Sequence, residues 1–105
     1  MLAMINQLSI KSEFVEKVET AFLKHMESLA EEPGFCGFRF LRALSPDESP
    51  CIVEVFWRDL PAFEAWKQSD HFRESHQGMG QYREAFYAPP KFAHFSVSKD
   101  IPLKS

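Results

Sequence analysis

Apolar and polar residues alternate along the first ten positions. Leu2, Met4, Leu8 and Ile10 share one parity, and Ala3, Ile5, Gln7 and Ser9 the other. A period of two is what a pleated strand imposes on its two faces. Asn6 falls on the parity of Met4 and Leu8 and interrupts it. From about residue 12 to residue 31 the period changes. Phe14, Val18, Phe22, Met26 and Leu29 recur at three- and four-residue steps, the stripe of an amphipathic helix. Ser12 stands where an N-cap oxygen is expected, Glu13 and Glu16 lie in the first turn where the helix dipole favours acids, and Pro33-Gly34 ends the helix. Cys36–Leu44 and Cys51–Trp57 read as strands, and the polar stretch Ser45-Pro-Asp-Glu-Ser-Pro50 between them predicts a hairpin. Asp59, with Pro61 tolerated in the first turn, opens a second helix. Ser69-Asp70 breaks it, and a short helix runs on to about His76. Residues 77–90 contain Gly78, Gly80 and Pro89-Pro90 and read as a loop, which at that length is more often functional than idle. Phe92–Val97 alternates as a last strand, and Ile101–Ser105 is a tail.

The order β-α-β-β-α-β is the ferredoxin-like arrangement, an α+β fold with helices over one face of a four-stranded sheet. Residues 1–105 then form one domain, long enough to bury a core without staples. Both parities of the middle strands are apolar: Phe38 and Phe40 but also Leu41, and Val53, Val55 and Trp57 but also Ile52 and Phe56. A second apolar sheet face predicts a homodimer whose sheets pack face to face.

Composition sharpens this reading. Eleven phenylalanines exceed what a minimal core needs and point to an aromatic-lined pocket or an apolar interface. A net charge of −3 without a basic stripe speaks against a nucleic-acid partner. No run of about 18 apolar residues exists to span a membrane. The N-terminal residues lack a basic segment and a cleavage pattern, so a cytoplasmic protein with Cys36 and Cys51 as reduced thiols is expected. No Ser-His-Asp arrangement, phosphate-binding loop, dinucleotide glycine pattern or paired carboxylates are visible.

Chemistry is left to a few residues, each with an ordinary alternative. A buried amide at Asn6 must be satisfied, since an unpaired one costs roughly 1–3 kcal/mol; backbone or water could do so, or the amide points into a ligand cavity. Trp66 follows Phe63 by three and shares its helical face, as a core tryptophan or as the wall of a pocket. Trp57 reads as core. His76 follows Phe72 by four. A lone histidine lacks the companions of a zinc site, but it suffices as an axial ligand to haem, where the porphyrin supplies four donors. His25, His71 and His94 are rival ligands, His94 chief among them because it shares a strand face with Phe92.

The run from Trp57 to His76, the turn Pro33-Gly34-Phe35-x-Gly37 and the early Asn6 together resemble the antibiotic-biosynthesis-monooxygenase superfamily, and within it the IsdG-like haem-degrading monooxygenases. The resemblance implies a dimeric α+β barrel of ferredoxin-like subunits with one haem per subunit. His76 would be the axial iron ligand, with Phe72 beside it. Asn6 would be the distal amide that hydrogen-bonds the oxygen species on the iron, and Trp66 would press on the porphyrin and ruffle it. Haem would be both substrate and cofactor, dioxygen the oxidant, and an external donor, with a reductase as partner, the source of electrons. The segment after His76 is aromatic and Pro-rich, unlike the lysine-rich stretch of the best-known members, so Arg83 and Lys91 stand as candidates for the propionates. The alternatives are a cofactor-free monooxygenase of aromatic polyketides or quinols, which needs no axial histidine, and a haem-binding protein without catalysis.

Overall fold

A computed structural model describes residues 1–70 and 80–101. β1 (Leu2–Leu8) leads through a 3₁₀ turn at Ser12–Phe14 into α1 (Val15–Glu27). A further 3₁₀ turn at Ser28–Glu31 precedes β2 (Phe35–Leu41). β3 (Cys51–Trp57), α2 (Leu60–Lys67), a 3₁₀ segment at Gly80–Ala85 and β4 (Lys91–Ser96) follow. The sheet is antiparallel in the order β2-β3-β1-β4, the ferredoxin-like α+β arrangement expected from the alternation.

Both helices cover one sheet face. Val18 and Phe22 of α1 pack with Leu8, Cys51 and Val53 in one cluster, while Phe63 and Trp66 of α2 pack with Met4, Leu29 and Trp57 in a second. Arg42 donates from Nε and Nη2 to the two carboxylate oxygens of Glu19, tying the end of β2 to α1.

Several local expectations are corrected. Ser12 does not cap α1: it lies inside the 3₁₀ turn, and no side chain caps either that turn or α1. The second strand ends at Leu41 rather than Leu44, because pairing with β3 finishes opposite Ile52. The stretch 77–90 is not all loop, since Gly80–Ala85 is 3₁₀ and Phe86 bridges to Ile10. The short helix expected through His76 lies outside the described residues.

Gly34 explains the Pro-Gly-Phe turn. Its φ is +83°, a region where a Cβ is disfavoured, and a Cβ there would run into the Cβ of Ala62. Its carbonyl accepts from the N–H of Arg58 at 2.7 Å. Gly34 is thus the point where the chain entering β2 passes against the start of α2. Gly37 sits where the β2–β3 register shifts.

Candidate functional site

Between the sheet and the helices lies a cavity of about 580 Å³, within the range of roughly 300–1,000 Å³ usual for small-molecule and cofactor sites. Met4, Asn6 and Leu8 of β1, Val53, Val55 and Trp57 of β3, and Phe92 and His94 of β4 form its floor. Phe22, His25 and Met26 of α1 and Phe63, Trp66 and Lys67 of α2 form its walls, and Phe86 and Pro90 complete the lining. The strand register accounts for this set. Asn6 pairs with Val53 on one side and Phe92 on the other, and Met4 with Val55 and His94. With a period of two, all six point to the helix-covered face.

Asn6 therefore sits in the middle of an apolar row, and its Oδ1 is buried without a hydrogen-bond partner among the described residues. The same holds for Nε1 of Trp57, a residue with no exposed surface. Buried polar atoms normally find partners, so two in one cavity mark places where a ligand atom would be accepted. Trp66 is buried too. Its ring lies 5.4 Å from that of Trp57 and 6.1 Å from that of Phe63, centroid to centroid. It is both core and cavity wall.

α2 sets the position of Phe63, Trp66 and Lys67, and Asp59 sets the start of α2. The Asp59 carboxylate accepts from the N–H of Ala62 at 3.0 Å. That bond, aided by Arg58, holds its carboxyl below the ordinary carboxylate value. At the other end, Ser69 Oγ donates to the carbonyl of Trp66 at 2.6 Å.

The structure thus brings Asn6, Trp66 and the rival His94 into one cavity. His76, Phe72 and His71 lie outside the described residues. Lys91 pairs with Gln7 and so stands on the opposite sheet face; neither it nor Arg83 lines the cavity. His25, another rival ligand, does line it, as do Trp57 and Lys67, which sequence reading did not single out for the site. For Lys67 the signal was its spacing, four residues after Phe63 and next to Trp66. Among the described residues no group of three or more His, Cys, Asp or Glu side chains could hold a metal ion. No helix among them is long and apolar enough to cross a membrane.

Comparison with known proteins gives the family and the fold. The family model described as antibiotic biosynthesis monooxygenase matches residues 1–78. A staphylobilin-producing heme oxygenase of Staphylococcus haemolyticus is 31% identical over 78 residues, covering 73% of this chain and 74% of the relative. Among solved structures, a MhuD mutant holding two manganese protoporphyrin IX molecules per active site superposes with a TM-score of 0.78 at 22% identity, covering 97% of this chain and 99% of that one. SnoaB, a cofactor-independent oxygenase from Streptomyces nogalater, gives a TM-score of 0.76 at 17% identity and 97% coverage of both chains. The structural likenesses establish the fold.

Proposed function

The chain belongs to the antibiotic biosynthesis monooxygenase family, and from that membership we propose that it is a haem-degrading monooxygenase. Haem serves as substrate and cofactor together, and the products are released iron and a linear tetrapyrrole. The observation that carries the reading is the aromatic cavity of about 580 Å³ in which a carboxamide oxygen and an indole N–H lack partners among the described residues. A flat, mostly apolar macrocycle suits walls of Phe, Trp and Met. The sequence likeness to a staphylobilin-producing heme oxygenase supports the same choice.

When bound, haem supplies an iron centre at which dioxygen reacts with electrons from an external donor. The chain supplies the surroundings. Asn6, fixed by strand pairing on both sides, would turn its carboxamide toward the reacting face, where its N–H groups would steady developing negative charge. Trp66, backed by Trp57 and Phe63, is a stiff indole able to press on the macrocycle and bend it. His76 and Phe72, which lie outside the described residues, are the residues the resemblance assigns to holding the group, and the imidazole of His76 would supply a nitrogen to its iron. The apolar lining excludes water, which strengthens the few polar contacts inside. A cytoplasmic setting and a reductase as electron donor belong to the same proposal.

The test is a hemin titration followed by turnover. Hemin gives a Soret band with the wild type. His76→Ala shifts that band and His94→Ala leaves its position unchanged. Ascorbate and oxygen then bleach it, with a tetrapyrrole mass appearing. If neither substitution affects the band, the axial assignment is wrong. A band that survives ascorbate and oxygen indicates haem carriage without catalysis.

One observation favours a second reading. The unpartnered atom of Asn6 is an acceptor, and an acceptor suits the O–H of a dihydroxyaromatic substrate. A protein that binds no hemin yet oxidises such a compound would be a cofactor-free monooxygenase instead.

A further inference from the structure

The charge of the cavity differs from that of the chain. The chain carries −3, yet no Asp or Glu lines the cavity among the described residues, and Lys67 is the permanently charged side chain there. No carboxylate lies within ion-pair distance of Lys67 among the described residues. Its Nζ stands 5.9 Å from the ring centroid of Phe63. From the other side of the fold, the imidazole of His94 meets the same ring edge-on, with centroids 5.6 Å apart and planes at 69°. Lys67 and His94 are exposed while Phe63 is buried. An ammonium from α2 and an imidazole from β4 therefore converge on one aromatic ring at the solvent edge of the cavity.

We propose that Lys67 and His94, gathered on Phe63, form a carboxylate subsite at the cavity mouth. It takes the acid groups of a planar aromatic macrocycle whose apolar body lies inside. The inference rests on the haem reading and deepens it. Deeper in the cavity a carboxylate would lie mostly among Phe, Met and Val and meet no permanently charged partner among the described residues, which makes burying its charge there unfavourable. At the mouth it meets a donor already held against an aromatic face. The bond formed is charge-assisted, N⁺–H to O⁻. The subsite therefore sets the orientation of the ligand, acid edge outward, as well as adding affinity.

The experiment separates the carboxylates from the iron. Iron-free protoporphyrin IX and its dimethyl ester are titrated into the intact protein in the same co-solvent, with quenching of Trp57 and Trp66 fluorescence as the readout. The free acid binds the wild type about fivefold more tightly than the ester, the size expected of a partly screened ion pair. Lys67→Ala removes that preference without changing the ester's affinity, and Lys67→Arg retains it. His94→Phe keeps the ring packing and lowers the preference. High salt narrows the gap between acid and ester. Equal binding of acid and ester by the wild type overturns the subsite, as does a Lys67→Ala loss shared equally by both ligands. Hemin, followed by its Soret band, distinguishes the two levels of failure. Hemin binding with acid and ester alike sinks the subsite alone, whereas absence of hemin and porphyrin binding sinks the haem reading with it.

Discussion

Asn6 carries a buried carbonyl oxygen without a partner among the described residues, in a row made otherwise of Phe40, Val53 and Phe92. Leaving such a group unsatisfied costs roughly 1–3 kcal/mol. A β-branched apolar residue would suit both the strand and the row. Asn6→Val is therefore expected to raise stability by about 1 kcal/mol in urea unfolding, while hemin still binds and ascorbate-driven turnover is lost. A destabilised Asn6→Val would mean that the amide is already satisfied in the free protein. Gly34 is the opposite case. Gly34→Ala places a Cβ at φ +83° and against Ala62; the strain and the collision together are expected to cost roughly 2 kcal/mol or more. A thermal midpoint equal to wild type would show that α2 moves aside freely.

α2 is the element on which the site depends, since it carries Phe63, Trp66 and Lys67 and begins at the Asp59 cap. Asp59 holds its carboxyl below the ordinary value chiefly through the Ala62 N–H. A depressed carboxylate contributes stability above its unfolded pKa and loses it as pH falls through the folded value. Asp59→Ala should thus lower the melting temperature at neutral pH, Asp59→Asn should do so much less because the acceptor is kept, and the gap between wild type and Asp59→Ala should close in acid. Equal effects of both substitutions at pH 7 would deny Asp59 its capping role. This cap was legible in the sequence because Asp followed by Pro before an apolar run has few other meanings. Ser12 looked equally apt and does not cap, because the chain leaves β1 through a 3₁₀ turn that takes up Ser12 itself. Strand parity also predicted that Asn6 shares a face with Met4 and Leu8, and His94 one with Phe92; the pairing of β1 with β4 joins the two. What parity could not reveal was the contribution of the helices: Lys67 reaches the cavity by lying over Phe63, and His25 lines it from α1. Helical spacing puts Lys67 beside Phe63 but does not say which strands the two face.

At the scale of the whole molecule, the sheet face away from the helices remains uncovered in the single chain. Phe56, Ala3 and Phe95 form a row across β3, β1 and β4, with Ile5 and Ala93 in the next. Phe95 is 52% exposed and Leu41 43%. Near them Arg39 pairs with Glu54 at 3.2 Å and lies over the Phe56 ring, so the centre of the face holds a neutralised pair rather than free charge. Soluble monomers rarely leave so continuous an apolar strip in water, and strand pairing already satisfies the backbone of β1 and β3, so a second sheet is a suitable cover. A homodimer packed through this face is accordingly expected. Phe95→Glu would set two like charges close together across such an interface, and sedimentation should show a monomer. Because Phe95 is half exposed in the isolated chain, the fold should survive, which circular dichroism would confirm. The cavity opens on the other side of the sheet, lined by the opposite parity of the same strands. The monomeric variant should therefore still bind hemin at one per chain. A wild type that sediments as a monomer, or a Phe95→Glu variant that stays dimeric, would remove this face as the interface. A monomer that has lost hemin binding would instead show that the partner subunit helps to shape the cavity.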